Sequence, residues 1–334
     1  MGFNAFIGVD VSKEKLDFVV VEEGRQLFHM ETENTKKGIE KFFKRMGNAG
    51  APKEDWLLCM EHTGIYCNPL LKAAQSKGLA VWVEHAARIK AFHGLQREKN
   101  DKLDALRIAE YAFAKRHAVT LWEPPREVVL RIKSLIKLRD RLVDAKKRLT
   151  APVTEEKRFG DREWAKELER MMGNTVSNLD RRIQGTEKAI LGLIKGDDNL
   201  KVLYDRISSV KGVGLIVAIN TIVVTNEFKK ISDPRKMACH CGVAPFRQLS
   251  GKSLRGRSKV SHRANKHMKA LFNMSARSVV ACEGELRDYY RKKIEKGKNK
   301  MSVMNAIRNK IIHRIFACVR DQREYENIYV HSFA

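Results

Sequence analysis

The sequence predicts an α/β domain at the N-terminal end of the chain and a mainly helical remainder. Three observations lead to this prediction: apolar runs alternate with helical periodicity over residues 1–115, two prolines follow Glu123, and heptad-spaced leucines begin at Leu135. The chain has 334 residues, more than a single domain of about 150 residues needs. We therefore expect three domains, at 1–122, 123–198 and 199–334.

The first domain is predicted from five apolar runs and three helical segments. Residues 5–9 and 16–21 flank a polar turn and predict a β-hairpin, to which residues 26–31 add a third strand. Two further strands are predicted at 56–60 and 79–83. Helical spacing of apolar residues predicts helices at 36–46, 69–77 and 101–115. Strands with intervening helices are typical of an α/β sheet.

Long helices are predicted after the two prolines. A heptad pattern, with steps of three and four residues, is formed by Leu135, Leu138, Leu142, Ala145 and Leu149. Pro152 is expected to interrupt this helix, and a second helix is predicted from about residue 161 to residue 194. The pattern fits an antiparallel pair within one chain or a coiled coil between chains, so we expect a helical, coiled-coil stalk.

The last domain is predicted to be mainly helical, with helices at 266–282 and 301–320. Before them, residues 207–215 resemble a helix–hairpin–helix element. In that element, Gly212 and Gly214 allow a tight turn and offer backbone N–H groups to a phosphate, with Lys211 beside them. A glycine-rich turn between two core helices is the alternative.

The net charge predicts a polyanionic partner. The chain carries 65 Lys and Arg against 40 Asp and Glu, a formal charge of +25. Such an excess repels itself, and nucleic acid is its usual partner; a solvated basic surface is the alternative. We expect residues 247–269, which contain no acid, to form a basic loop that contacts phosphates through Arg247, Lys252, Arg255, Arg257, Lys259, Arg263, Lys266 and Lys269. A second basic run lies at 291–300.

Other classes of protein fit the sequence less well. No apolar stretch approaches the roughly 20 residues that a transmembrane helix needs, and there is no charged-then-apolar leader. Six scattered cysteines do not form the pattern of a disulfide framework, so we expect a cytoplasmic protein. The Cys239-His240-Cys241 segment suggests zinc, but no second pair of ligands lies nearby.

Four acidic residues form the candidate catalytic site. Asp10 and Glu61 each end an apolar strand, where a carboxylate is costly unless it is solvated, paired or bound to a cation. Asp101 and Asp104 open a helix, and their i, i+3 spacing places both on one face. For each residue alone, turn initiation or helix capping is the alternative.

Together, four clustered carboxylates require a cation, and hard oxygen ligands select Mg²⁺ or Mn²⁺. In a basic protein, such a cluster fits metal-assisted cleavage of a phosphodiester. His62, next to Glu61, could assist proton transfer or orient a ligand, with a solvated or structural histidine as the alternative.

The motifs GVDVSK (8–13), MEHTG (60–64) and KNDKLDA (99–105) resemble the DEDD transposases of the insertion-sequence 110 family, relatives of the Piv/MooV DNA invertases. Further family elements are matched by residues 212–214 (GVG) with Ala218, residues 242–245 (GVAP), and Ser250-Gly251 followed by basic residues. The resemblance covers nearly the whole chain. It implies an RNase H-like (RuvC-type) N-terminal domain, with Asp10, Glu61, Asp101 and Asp104 as its metal-binding tetrad, and a C-terminal transposase domain.

The resemblance also implies a nucleophile and partners. Ser250 matches the family's serine, which attacks DNA and forms a phosphoserine link; the residues alone leave Ser250, Ser253, Ser258 and Ser261 open. DNA, a guide (bridge) RNA, and assembly into homodimers or tetramers are implied as well. The alternatives are a RuvC-like nuclease that needs only the acids, a DNA invertase without guide RNA, and a non-enzymatic nucleic-acid-binding protein.

Overall fold

A computed structural model describes residues 2–48, 50, 52–94, 100–250, 254–260 and 264–326, with the backbone alone at 246–250 and 254–259. The chain divides into two compact units, Met1–Pro124 and Pro125–Ala334. The first contains a five-stranded sheet with helices, and the second is mainly helical. The predicted α/β plus α class is therefore confirmed. The boundary between a stalk and a last domain at 198/199 remains a prediction.

The N-terminal unit is built on one mixed sheet. Its strands are β1 (Ala5–Val11), β2 (Lys15–Glu22), β3 (Arg25–Glu33), β4 (Trp56–Glu61) and β5 (Ala80–Glu84). The order is β3-β2-β1-β4-β5, in which β1, β2 and β3 are antiparallel neighbours and β4 and β5 run parallel to β1. All five predicted strands are confirmed. The carboxyl ends of β1, β4 and β5 consequently lie at the same edge of the sheet.

Helices cover both faces of this sheet. They are α1 (Lys36–Asn48), α2 (Asn68–Ser76), α3 (Ala86–His93) and α4 (Asp101–Ala114). One core joins α1 and α2 to alternate strand residues, and in it Phe42 stacks on Phe18 with ring centroids 3.9 Å apart. The other core joins α4 to the opposite residues of the strands, including Phe6, Val19 and Leu57. The predicted helices are confirmed; the short α3 was not predicted.

Two long helices, α5 (Glu127–Phe159) and α6 (Arg162–Lys195), open the second unit and pack against each other. Three ion pairs join them at a constant antiparallel register: Arg139 with Glu187 and Lys146 with Asp180, each at 2.6 Å, and Lys157 with Glu169 at 2.6 Å. The two helices therefore form a hairpin within one chain.

The predicted interruption at Pro152 is wrong, because α5 continues through that residue. The pairs with α6 lie on both sides of the proline, so the two helices stay paired across this position despite the missing backbone N–H. The buried residues of α5 are Val129, Ile132, Ile136 and Val153, whereas Leu138 of the predicted seam is 46% exposed. The other residues of the predicted seam, Leu135, Leu142, Ala145 and Leu149, are half-buried.

The rest of the second unit packs around a long C-terminal helix. Its helices are α7 (Asp198–Ser208), α8 (Leu215–Thr225), α9 (Pro234–His240), α10 (Lys266–Ala281), α11 (Glu285–Glu295) and α12 (Lys300–Arg320). The core includes Ile307 and Ile311 of α12 and Phe272 of α10. No helix in the described part of the chain has the length and apolar character needed to span a membrane.

The expected basic loop instead contains a two-stranded antiparallel ribbon, β6 (Phe246–Ser250) and β7 (Leu254–Lys259). Apolar residues do not alternate regularly through this segment, so its pattern gave no strand signal. Pairing of Ser250 with Leu254 closes the ribbon across a short connection.

Candidate active site

Asp10 and Glu61 lie side by side at the carboxyl edge of the sheet. In the parallel pairing of β1 with β4, Val9 is opposite Met60, so the next residue of each strand is one of these acids. Both side chains are only partly exposed. The sequence rule that parallel strands end at one edge therefore places the first two predicted acids together.

Gly8 allows helix α4 to approach this edge closely. A Cβ atom at Gly8 would lie 2.1 Å from the carbonyl oxygen of Ala105 and 2.3 Å from the backbone nitrogen of Ala109. Only glycine permits such an approach of backbone to backbone. Because Gly8 precedes Asp10 by two residues, the crossing point brings the first turn of α4 toward Asp10.

The acids of α4 are not its N-cap. Asn100 is the cap, and its side chain accepts a hydrogen bond from the backbone N–H of Lys102 at 3.0 Å. Asp101 and Asp104 follow in the first turn, where carboxylates interact favourably with the helix dipole. Helix capping, the alternative role for Asp101 and Asp104, is therefore performed by Asn100.

Electrostatic interactions connect the two strand-end acids with the acids of α4. Burial, followed by the charges of Asp101, Asp104, Asp17 and Glu61, raises the pKa of Asp10 to about 6. The pKa of Glu61 is also raised, first by burial and then by Asp104, while Lys90 and His85 oppose the shift. Each strand-end acid thus responds to acids from α4, which places all four in one electrostatic field.

Two basic side chains hold the carboxylates of α4. Lys15 Nζ lies 2.8 Å from Asp101 Oδ2, and Arg107 Nη1 lies 2.8 Å from Asp104 Oδ1. Contacts with Asp101 and Glu31 raise the pKa of Lys15 above its ordinary value. Within the described residues, no three His, Cys, Asp or Glu side chains are arranged to hold a metal ion as they stand. The donor set is nevertheless all carboxylate oxygen, the ligand type that Mg²⁺ and Mn²⁺ prefer.

Sequence reasoning missed the acids and bases of β2 and β3. Asp17 pairs directly with Asp10 across the sheet, is 3% exposed, and contacts His29 Nε2 at 2.8 Å. A signal for Asp17 was present, because it is the one charged residue within the apolar run 16–21. Buried carboxylates need such partners.

Glu84 also ends a strand at this edge, opposite Glu61 on β5. Its carboxylate accepts hydrogen bonds from the hydroxyl of Tyr111 at 3.0 Å and from the backbone N–H of His85 at 2.7 Å. Arg88 Nη1 lies 3.4 Å away. Burial and the bond with Glu84 raise the pKa of Tyr111 to about 12. Glu84 is therefore occupied by a structural network beside the tetrad.

Comparison with known proteins assigns the family. A model of the DEDD transposases of IS110 type matches residues 7–155, which include all four acids, and a model described as "Transposase IS116/IS110/IS902 family" matches residues 204–291. The chain belongs to the IS110 family of transposases. The predicted family is thereby confirmed.

Individual relatives agree with this assignment. The "Insertion element IS116 uncharacterized 44.8 kDa protein" of Streptomyces clavuligerus is 26% identical over 226 residues, which are 65% of this chain and 55% of that protein. The "Pilin gene-inverting protein" of Moraxella lacunata is 23% identical over 281 residues, 81% of this chain and 77% of that protein. The chain thus spans about half the length of the IS116 relative.

The two glycines of the predicted helix–hairpin–helix element, residues 207–215, have different surroundings. Gly212 has φ +84°, and a Cβ atom there would lie 2.3 Å from Val279 Cγ1 of α10. Gly214 is the N-cap of α8, and a Cβ atom would meet nothing within 4 Å. Lys211 Nζ donates to the carbonyl oxygen of Glu283. A side chain at Gly212 would therefore clash with α10, whereas one at Gly214 would meet open space.

The predicted nucleophile and four of the predicted DNA contacts lie on the ribbon. Arg247 and Ser250 are on β6, and Arg255, Arg257 and Lys259 are on β7. Lys252 and Arg263 lie outside the described residues, as do Ser253 and Ser261. Lys266 is the exposed first residue of α10.

Two further candidates can be placed. The Nδ1 atom of exposed His62 accepts a hydrogen bond from the backbone N–H of Gly64 at 3.2 Å, so the histidine helps shape the turn after Glu61. Cys241 is buried, and burial raises the pKa of its thiol to about 12. A neutral thiol in the core is a packing group.

Proposed function

We propose that this transposase is an RNA-guided DNA recombinase of an insertion sequence, which cuts and rejoins strands through a metal-dependent acidic tetrad and a covalent phosphoserine at Ser250. One observation carries the proposal: Asp10 and Glu61 lie at one edge of the sheet on adjacent strands, and charges from the first turn of α4 raise the pKa of both. Clustered carboxylates repel one another and also repel phosphate. They can act on a phosphodiester only when a cation binds between them.

We infer an RNase H-like fold for the N-terminal unit. The strand order β3-β2-β1-β4-β5, with only β2 antiparallel to its neighbours, supports this assignment. So does the position of the acids on the central strands and on the helix that crosses them. The match of the DEDD transposase model over residues 7–155 is a further, independent support.

The tetrad residues would hold Mg²⁺ or Mn²⁺ through their carboxylate oxygens. When bound, the metal would polarise the scissile phosphate and lower the pKa of the attacking hydroxyl. Asp10 and Glu61 would act from fixed positions on adjacent strands. Asp101 and Asp104 would act from α4, held at its crossing point by Gly8.

Ser250 would supply the nucleophilic oxygen. Its hydroxyl oxygen forms a bond to phosphorus, the strand oxygen leaves as a hydroxyl, and the serine proton is passed to that leaving group or to solvent. The resulting ester keeps the energy of the phosphodiester, so strands rejoin without ATP. Lys252, Arg255 and Arg257 would offset the negative charge of the phosphorane.

The remaining basic residues would bind nucleic-acid backbones. Lys266 supports this, because the first turn of α10 contains no acid and a helix N-terminus attracts phosphate. Gly214, at the open N-terminus of α8, is a second such point. We assign the same role to Lys211, Gly212, Arg247, Lys259 and Arg263. The charge of +25 is consistent with binding both DNA and a guide RNA.

A covalent adduct tests the chemistry. A suicide DNA substrate incubated with Mg²⁺ should give a denaturation-resistant protein–DNA adduct, which peptide mass spectrometry maps to Ser250. Ser250→Ala should lose the adduct and all recombination, whereas the matched Ser258→Ala on β7 should keep both. Cleavage without an adduct would favour a RuvC-like nuclease, and an adduct on another serine would overturn the residue assignment.

Guide dependence separates two recombinases. The relatives named as pilin gene-inverting proteins favour a second candidate, a site-specific DNA invertase that needs no guide RNA. Protein purified from cells should retain a defined RNA, and nuclease removal of that RNA should abolish recombination. Full activity of RNA-free protein would favour the invertase. In either case, the protein is expected to act as a homodimer or tetramer.

A further inference from the structure

Both acids of α4 contact basic side chains of the N-terminal unit. One of these bases lies on α4 itself, and the other lies on β2. Arg107 Nη1 reaches Asp104 Oδ1 at 2.8 Å from one turn along the same helix. Lys15 Nζ reaches Asp101 Oδ2 at 2.8 Å from the start of β2. Lys15 is therefore the side chain that ties an acid of α4 to the sheet.

Lys15 has two further acidic neighbours, which lie on the sheet itself. Its Nζ atom is 3.2 Å from Glu31 Oε2 and 3.6 Å from Asp17 Oδ2. Asp17 pairs with Asp10 on one side and with Glu31 on the other, so these acids form a row across β1, β2 and β3. If Lys15 leaves Asp101, it still has counterions in Glu31 and Asp17.

We propose that Lys15 is a positioning residue that competes with the divalent cation for Asp101 Oδ2. The contact with Lys15 holds Asp101 toward β2, and no three metal-ligating side chains are yet convergent in the described part of the chain. On metal binding, Asp101 turns toward Asp10, and Lys15 remains with Glu31 and Asp17. A carboxylate is attracted more strongly to a doubly charged ion than to an ammonium, so the exchange is favourable but weakened by the lost contact.

This proposal rests on the proposed function, because it requires the tetrad to bind metal. It adds that Lys15 lowers metal affinity, although it lies among the acids of the site. A purely structural lysine would have no such effect. The exchange also explains how an acidic cluster remains folded before metal binds: a cation of the chain itself partly neutralises it.

A Mn²⁺ titration of the full chain, followed by the electron paramagnetic resonance signal of free Mn²⁺, measures the effect. Lys15→Met should bind Mn²⁺ roughly two- to fivefold more tightly than the wild type, the range expected from loss of a partly exposed ion pair. Lys15→Arg keeps a cation in place and should bind like the wild type. The control is Lys13→Met, which removes the same charge from the exposed turn two residues earlier and should leave affinity unchanged.

A second substitution separates competition for Asp101 from general electrostatics. In an Asp101→Asn background the competition is already lost, so Lys15→Met should no longer tighten Mn²⁺ binding. Equal tightening in both backgrounds, or no tightening in the wild-type background, overturns the role of Lys15. A wild type that binds no Mn²⁺, or whose binding is insensitive to Asp10→Asn and Glu61→Gln, overturns the metal site itself and with it the proposed function.

Discussion

The pKa of Asp10 reflects both the burial of the site and its negative charge. Its pKa is raised to about 6 by burial and by four neighbouring carboxylates, whereas an unfolded chain has the ordinary value of 3.8. The folded state therefore binds a proton at Asp10 more tightly than the unfolded state. Its contribution to stability is highest below pH 3.8 and is lost as the pH rises through about 6.

We predict that Asp10→Asn stabilises the metal-free protein at neutral pH. In chelator at pH 7.5, the free energy of unfolding should rise by about 1 kcal/mol, because the substitution removes a partly buried charge from an acidic cluster. Near pH 4 the difference should vanish, and Mg²⁺ should narrow it at pH 7.5. Thermal unfolding of both proteins at the two pH values provides the measurement, and a difference independent of pH would contradict the assignment.

At the scale of elements, we propose that the crossing of α4 over β1 positions Asp101 and Asp104 relative to Asp10. We predict that Gly8→Ala forces the helix away, since the new Cβ would lie 2.1 Å from the carbonyl oxygen of Ala105. The expected loss is about 1–3 kcal/mol of stability together with weaker Mn²⁺ binding, because Asp101 and Asp104 move away from Asp10.

Gly47→Ala is the matched control for this change. A Cβ atom at Gly47, within α1, would meet nothing within 4 Å, and alanine favours a helix. Gly47→Ala should therefore leave both stability and Mn²⁺ binding intact or slightly improved. Normal Mn²⁺ affinity in Gly8→Ala would show that the crossing point does not position the acids.

A second element-scale contact anchors the base of the helical hairpin. Arg126, just before α5, contacts Asp197 at 2.6 Å and Glu227 at 2.5 Å. We predict that Arg126→Ala destabilises the protein by about 2 kcal/mol, because two acids are left without their shared partner. Arg131→Ala, which breaks an exposed pair with Glu127, should cost under about 0.5 kcal/mol. Similar losses of urea midpoint in the two variants would refute the anchor.

The same elements show which features of the fold could be predicted from the sequence. Local patterns predicted the five strands and placed Asp10 and Glu61 at strand ends, since both features depend on neighbouring residues. The contact of Gly8 with Ala105 joins residues 97 positions apart, and the pair of Lys15 with Asp101 joins residues 86 positions apart. The continuity of α5 through Pro152 depends on packing against α6, and the β6–β7 ribbon depends on backbone pairing. None of these leaves a periodic signal in one segment.

At the scale of the whole molecule, the charge of +25 is the dominant feature, and the two proposed functional parts carry charges of opposite sign. The tetrad lies in the first unit, and the basic ribbon lies in the second. Acids that repel phosphate and bases that attract it must both act on the same DNA if strands are to be cut and rejoined. Salt dependence can isolate the contribution of the bases, since each phosphate contact releases counterions.

We predict that duplex binding weakens steeply with salt and that Arg255 and Arg257 account for part of this dependence. Each phosphate contact contributes about 0.9 to the slope of log affinity against log salt, so Arg255→Ala with Arg257→Ala should flatten the slope by about two. The control is Lys166→Ala with Arg170→Ala, which removes the same charge from exposed positions of α6, where the two side chains already pair with Glu163 and Glu167. Fluorescence anisotropy at four salt concentrations gives the slopes. If the ribbon variant keeps the wild-type slope, its binding releases as many counterions as binding of the wild type, so the phosphate contacts lie elsewhere. The basic run at 291–300 is then the next segment to test.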